Sequence, residues 1–405
     1  MYISKFRVFN YKSFKDSTLL EFKPGINIII GQNNVGKTAF LEALELNVDN
    51  TPHKNVKAWL SKKEDKSLPS FDWSTVDIIL VVEESDIYSF IKKSTICVSS
   101  ERNHQNDLDL FQNWINQPNV KEICVYNYNP EKGDGFYKID INMPENINIS
   151  HPCSYDYNIS FGQETIQKII INNSNNLELN ETPIDFTPSY EPLDKYFFDY
   201  LRSKIYRLES ERFHVGKCDA GASVELKQSA ENLAEVISQL QLAGQKKNYQ
   251  QFNECVNIIF PEIALVSARP KPKKSINDDK LLYEVLIWSL EASQQDVVEM
   301  TLPLADCGTG VSQVLAILYV VITASEPQVI IIDEPQSFLH PSAAKKLIEI
   351  LKEFPQHQYF IATHSPQIIT AANPATIVQL SYIDGETKAQ IIDAKQTAQL
   401  RFTLR

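Results

Sequence analysis

The run Gly31-Gln32-Asn33-Asn34-Val35-Gly36-Lys37-Thr38 fits the pattern G-x-x-x-x-G-K-[ST] without a mismatch. Such a loop turns its backbone N–H groups toward one anion, and glycines permit the curvature and close approach this requires. The helix that follows presents its positive end to the same anion. Lys37 is expected to reach the β- and γ-phosphates of a nucleoside triphosphate, and the Thr38 hydroxyl to ligate Mg²⁺. The expected nucleotide contacts are Asn33, Asn34, Val35, Gly36, Lys37, Thr38 and Ala39.

A second set of chemical groups lies near the carboxyl end. The apolar run Val329-Ile330-Ile331-Ile332 stops at Asp333-Glu334-Pro335. Side chains alternate along a strand, so the two carboxylates point differently and can divide the work. Asp333 is expected to hold Mg²⁺, directly or through water, and Glu334 to act as general base on the attacking water. The strand Tyr359–Thr363 ends in His364, placed to hydrogen-bond the γ-phosphate or the water. Gly308-Thr309-Gly310 opens a helix that contains Gln313, a further anion site. Since the chain already has a phosphate loop, this second site reads as half of a partner's nucleotide site. The alternative is a glycine-rich helix entry that serves only its turn.

The elements that must position these groups follow from patterning. Alternation at Ile3, Phe6 and Val8, at Leu20 and Phe22, and at Ile26, Ile28 and Ile30 reads as strands, the last one buried. Phe40, Leu41, Leu44 and neighbours give a helix from Lys37 to about Asn47. Residues 51–71 read as a polar loop, and Val76–Val82 as a strand. From about 84 to 200 the chain is rich in Asn, Ile, Tyr and Ser, which suggests short strands joined by long loops with weak helix signals. Helix is expected at Tyr196–Leu201 and from about Ser229 to Ile259, with a strand at Lys204–Leu208 between them. Further on, strands at Leu281–Leu290, Val329–Ile332 and Tyr359–Thr363 alternate with helices at Thr309–Ala324 and Ala343–Phe354. A hairpin, Thr376–Tyr382 with Ala389–Ile392, turns at Asp384-Gly385. This alternation predicts a largely parallel sheet covered by helices. No heptad pattern is long enough for an extended coiled coil, which argues against an SMC-type chain.

Composition narrows the class. The 405 residues are 43% hydrophobic and 22% charged, ordinary for a globular protein. No apolar run is long enough to span a bilayer and no secretory signal opens the chain, so a soluble, cytoplasmic protein is expected. Cys97, Cys124, Cys153, Cys218, Cys255 and Cys307 are too scattered for a zinc site or a disulfide framework. A net charge of −12 disfavours nucleic-acid binding over the whole surface. The one basic stretch, Arg269-Pro270-Lys271-Pro272-Lys273-Lys274, reads as a solvated, proline-stiffened loop, a local basic groove being the alternative.

In this order the motifs resemble the ABC-type ATPase superfamily, in its RecF-like and OLD-like (overcoming lysogenisation defect) branch. ISKFRVFNYKSFKD followed by PGINIIIGQNNVGKT looks like the start of those proteins. Asp333-Glu334-Pro335 with Leu339-His340-Pro341, and Ala362-Thr363-His364-Ser365, look like their carboxyl half. The resemblance implies an α/β, ABC-ATPase-like head with a mixed or parallel sheet, a β-rich insertion and a helical arm. It divides the chain into an amino-terminal lobe (1–83), an Asn-rich insertion (84–200), an arm (201–280) and a carboxyl lobe (281–405). It implies ATP and Mg²⁺ as cofactors and places Lys12 and Ser13 near the nucleotide. Gly308, Thr309, Gly310 and Gln313 take the place of the signature that meets a partner's nucleotide. His364 becomes the switch histidine, and the segment after Glu334 the dimer-contacting loop.

Three departures accompany the resemblance. The signature reads CGTGV rather than LSGGQ, which implies slow or altered cross-dimer activation. No Mg²⁺-contacting glutamine between the lobes is identified. After His364 there is no strand ending in Glu-Gly with a later Asp-x-Asp, so an ATPase head without the Toprim nuclease of OLD enzymes is expected. Such heads resemble ATPase subunits of bacterial anti-phage systems, which implies a head-to-tail dimer controlling a separate effector, a nuclease. A RecF-like, DNA-clamping repair ATPase and a nucleotide-gated scaffold with little turnover are the rivals.

Overall fold

The computed structural model describes residues 1–46, 51, 53, 74–98, 104–117, 121–128, 136–140, 149–154, 164–184, 188–208, 216–219, 225–272 and 281–392. The chain forms two compact units, Met1–Glu21 with Glu42–Ile205, and Phe22–Leu41 with Tyr206–Arg405. The phosphate loop therefore groups with the carboxyl-terminal half, whereas the four-part division read from sequence leaves it in an amino-terminal lobe. The expected polar loop at 51–71 falls almost wholly outside the described residues.

The second unit is built on a six-stranded sheet, and its elements are labelled here in chain order. They are β1 (Ile26–Ile30), α1 (Lys37–Leu44), β2 (Ile205–Leu208), α2 (Thr309–Thr323), β3 (Val329–Asp333), α3 (Pro341–Lys352), β4 (Gln358–Thr363), α4 (Pro366–Ala372), β5 (Thr376–Ile383) and β6 (Glu386–Ile392). The strand order is β2-β3-β4-β1-β5-β6. The β3–β4, β4–β1 and β1–β5 pairs are parallel. Every residue of β1, β3 and β4 is buried, as expected of strands covered on both faces. The sheet ends in the antiparallel β5–β6 hairpin, turned by Asp384 (φ 50°) and Gly385 (φ 85°). Positive φ at both central residues is what a tight hairpin turn demands. The expected α/β class with a mixed sheet is what these residues show.

Helix α2 is apolar nearly all round, with buried residues from Gly310 to Ile322. A helix of that kind has to lie inside. It shares one core with Phe252 and Val256 of the helix Lys246–Ile259, with Val236 and Ile237 of Leu233–Leu240, and with Leu347 of α3.

Among its described residues the first unit carries two sheets. One pairs Tyr2–Tyr11 antiparallel with Thr75–Val82, and that strand with Lys121–Tyr128. The other includes Glu164–Ile171 paired with Leu177–Ile184. Three helices stand where weak helix signals were read: Glu84–Lys93, His104–Ile115 and a longer form of the expected one, Leu193–Ser203. In the first, Ile87, Tyr88, Phe90 and Ile91 are buried, and Glu83 with Asp86 forms a capping box. Polar composition hid this apolar stripe.

The basic stretch is also corrected. Leu265–Pro272 is a strand, not a loop, paired antiparallel with Leu281–Trp288 along its whole length. It lies at the edge of its sheet, where a proline's missing N–H costs no ladder bond. The Arg269 guanidinium lies over the Trp288 ring at 5.1 Å, and Lys271 Nζ bonds Glu284 at 3.2 Å. Segment 201–280 thus combines helices with strands. Lys273 and Lys274 lie outside the described residues.

Candidate active site

Because β3, β4 and β1 are adjacent and parallel, their carboxyl ends share one edge. Ile30 pairs with Thr363, and Asp333 with Ala362. The segments after those residues are the phosphate loop, the Glu334 turn and His364. Ligands of open α/β sheets collect at such an edge.

The loop is shaped by local sterics. A Cβ at Gly31 would stand 2.6 Å from Val35 Cγ2 and 2.9 Å from the Leu380 carbonyl, so only glycine fits there. Gly36 turns the chain at φ 99°, and the Phe40 N–H then bonds the Gly36 carbonyl at 2.9 Å to start α1. Buried Thr387 on β6 donates to the Val35 carbonyl at 2.8 Å and braces the loop. Lys37 is 8% exposed; its Nζ donates to the carbonyls of Gly31 (3.0 Å) and Gln32 (3.1 Å) and lies 3.6 Å from Glu334 Oε1.

Thr38 Oγ1 donates to Asp333 Oδ2 at 3.0 Å, across 295 positions of sequence. Burial pushes the Asp333 carboxyl above its ordinary value; the Thr38 hydrogen bond and the charges of Arg207 and Lys37 work against the rise, and Glu334 adds to it. Arg207, on β2, is a neighbour the sequence motifs did not single out.

Glu334 adopts φ 47°, rare for a residue with a side chain. Its N–H still bonds the Ala362 carbonyl at 2.9 Å, extending the β3–β4 ladder by one residue. Its Oε1 is 2.9 Å from His364 Nδ1. His364 itself is largely exposed, between the end of β4 and Ser365, which precedes α4.

The phosphate loop and the Glu334 turn border a cavity of about 530 Å³, lined by Asn33, Asn34, Gly36, Lys37, Thr38 and Ala39 and by Asp333, Glu334, Ser337 and Phe338. His364 is not among the lining residues and reaches the cavity only through Glu334. Val35 is buried beneath the loop and does not line it. Gln313, expected to serve a partner's nucleotide, lines this cavity in its own chain. Gly308, Thr309 and Gly310 are not among the lining residues. Gly310 packs against the Phe338 segment instead, where a Cβ would stand 2.4 Å from the Phe338 carbonyl oxygen. Lys12 belongs to the first unit, where its ammonium pairs with Glu42 and lies over the Tyr11 ring at 5.3 Å. Ser337 and Phe338 belong to the segment after Glu334 that the resemblance assigns to dimer contact; they line the cavity of their own chain.

The donor set fits a hard divalent cation. A hydroxyl and a carboxylate oxygen converge beside the phosphate loop. No group of three or more His, Cys, Asp or Glu side chains able to hold a metal occurs among the described residues. None is needed, since Mg²⁺ at nucleotide sites takes one or two protein oxygens plus phosphates and water.

The model of the AAA ATPase domain family matches residues 1–369. The chain belongs to that family. It is an ATPase. An 86-residue stretch is 33% identical to the DNA replication and repair protein RecF of Acetivibrio thermocellus, covering 21% of each chain. A 54-residue stretch is 41% identical to RecF of Bifidobacterium adolescentis, covering 13% of each. The chain thus spans about a fifth or less of the length of the curated relatives it matches. Among solved structures, the SMC head domain of Thermotoga maritima aligns at 12% identity and TM-score 0.44, over 97% of this chain and 100% of that one. The Smc head bound to the C-terminal domain of ScpA, derived from Pyrococcus furiosus, aligns at 12% identity and TM-score 0.48, over 100% and 99%. Likenesses that loose decide nothing further about this chain.

Proposed function

We propose that this ATPase binds Mg²⁺–ATP in the cavity between the phosphate loop and the Glu334 turn and hydrolyses it slowly. The observation that carries the reading is the Thr38–Asp333 contact with Lys37 beside Glu334. It brings a hydroxyl, two carboxylates and an ammonium to one spot, which supports reading them as the metal-holding, water-activating and phosphate-holding groups of a triphosphatase. Thr38 and Asp333 hold the cation, which supplies charge neutralisation at the phosphates when bound. Lys37 leaves its own loop's carbonyls for the β- and γ-phosphates. Glu334 takes a proton from the attacking water, and His364, hydrogen-bonded to the same carboxylate, orients it.

Two copies meet head to tail, and the Gly308–Gly310 helix entry of one contributes to the nucleotide of the other. The dimer scaffolds or controls a separate effector, a nuclease, in anti-phage defence; the chain acts in the cytoplasm. What supports this part is the motif resemblance. The RecF stretches favour a second reading, a DNA-clamping repair ATPase. The two separate in one experiment. The Glu334→Gln form, loaded with ATP, is purified from the native host, and DNA binding is titrated against salt. A co-purifying nuclease and a flat salt response support the effector reading. DNA retention with a steep negative slope supports the clamp.

A further inference from the structure

The carboxylate of Glu334 is held from both sides: expected residues, His364 and Lys37, meet Oε1, and Gln336, outside the expected set, meets Oε2. Pro335 follows Glu334 in a turn closed by the Ser337 N–H on the Glu334 carbonyl at 2.9 Å. Proline favours the second position of such a turn. The turn brings the Gln336 side chain back onto the residue two before it, so that Gln336 Nε2 donates to Glu334 Oε2. At its other end, Gln336 Oε1 accepts from Thr363 Oγ1 at 2.9 Å. Thr363 is fully buried at the tip of β4 and accepts from the Ser365 N–H at 3.0 Å. An ionised carboxylate can only accept, so the amide must turn its NH₂ to Glu334 and its carbonyl to the Thr363 hydroxyl. The orientation is therefore fixed by chemistry. With His364 Nδ1 on Glu334 Oε1, the circuit closes through the chain from Thr363 to His364.

We infer that Gln336 and Thr363 are positioning residues for hydrolysis: they lock the Glu334 carboxylate, held at a strained φ, in the one orientation that faces the attacking water. Misplacing a general base costs rate without costing nucleotide affinity. The inference rests on Glu334 as the base, and the test keeps the two apart.

Steady-state ATP hydrolysis and binding of a fluorescent ATP analogue are measured on the full chain for Gln336→Met, Thr363→Val, Thr363→Ser and the double variant Gln336→Met/Thr363→Val. Each of the first two lowers kcat about tenfold while KM and analogue affinity stay within about twofold. Thr363→Ser, which keeps the hydroxyl, restores turnover. The double variant is no slower than either single one, because both cut the same circuit. Retained analogue binding shows that the variants fold. Multiplying losses in the double variant, an effect on KM rather than kcat, or a Thr363→Ser as slow as Thr363→Val overturns the inference. Wild-type turnover by Glu334→Gln overturns the base assignment itself. A slow Glu334→Gln beside an unimpaired Gln336→Met removes only the positioning role.

Discussion

Lys37 is held by its own loop, 3.0 and 3.1 Å from two backbone carbonyls, and is almost buried. An ammonium in that position is replaceable by nothing shorter. Lys37→Ala is expected to reduce analogue binding at least about a hundredfold, as loss of a charged phosphate contact in a desolvated site would. Titration calorimetry checks it, with unchanged affinity as the contrary result. Metal removal tests the proposed cation site: if Thr38 and Asp333 share the cation, chelation should stop hydrolysis and re-addition of Mg²⁺ should restore it. Away from the site, burial pushes the Cys255 thiol up to about 11, with Glu353 and Glu254 adding to the rise. Little thiolate is present at pH 8, so Cys255 should resist thiol reagents in the native protein and react at once on denaturation, as mass spectrometry can follow. At this level the phosphate loop was legible because its chemistry is local, one loop and the helix after it. The Gln336 circuit was not: it depends on a left-handed Glu334 and on a hydroxyl from another strand, and neither leaves a trace in spacing.

Strands β1, β3 and β4 were read almost to the residue, because strands buried on both faces are unbroken apolar runs bounded by turn residues. Helices Glu84–Lys93 and His104–Ile115 were missed, since their apolar stripes are diluted by Ser, Asp, Gln and Asn. The Pro-Lys-Pro strand was missed because proline argues for a loop unless the strand is known to be an edge. Two substitutions test the packing. Gly310→Ala places a methyl 2.4 Å from the Phe338 carbonyl and 2.8 Å from Leu339 Cδ2. It should destabilise the fold by about 1–3 kcal/mol, the usual range for overpacking, in denaturant titration. Ile361→Ala empties a fully buried position in β4 and should cost about 2–5 kcal/mol. A loss below about 0.5 kcal/mol in either case contradicts the packing described.

The whole chain carries a net charge of −12, and no helix among its described residues is long and apolar enough to cross a membrane. Its grouping into two units that each use two separate stretches of sequence could not be read from motifs, because it depends on which distant strands pair. If nucleotide sites are completed between copies, specific activity should rise with protein concentration, and Glu334→Gln with ATP should elute at twice the mass of the nucleotide-free form. Strict proportionality of rate to concentration, with no change in mass, argues against the dimer. The most direct test of the site remains single-turnover hydrolysis of Mg²⁺–ATP by wild type and Glu334→Gln, with binding measured on the same samples. General-base loss predicts equal binding and a rate lower by about 100-fold or more. Equal rates would contradict the assignment of Glu334 and, with it, the chemistry built on the Asp333–Glu334 edge.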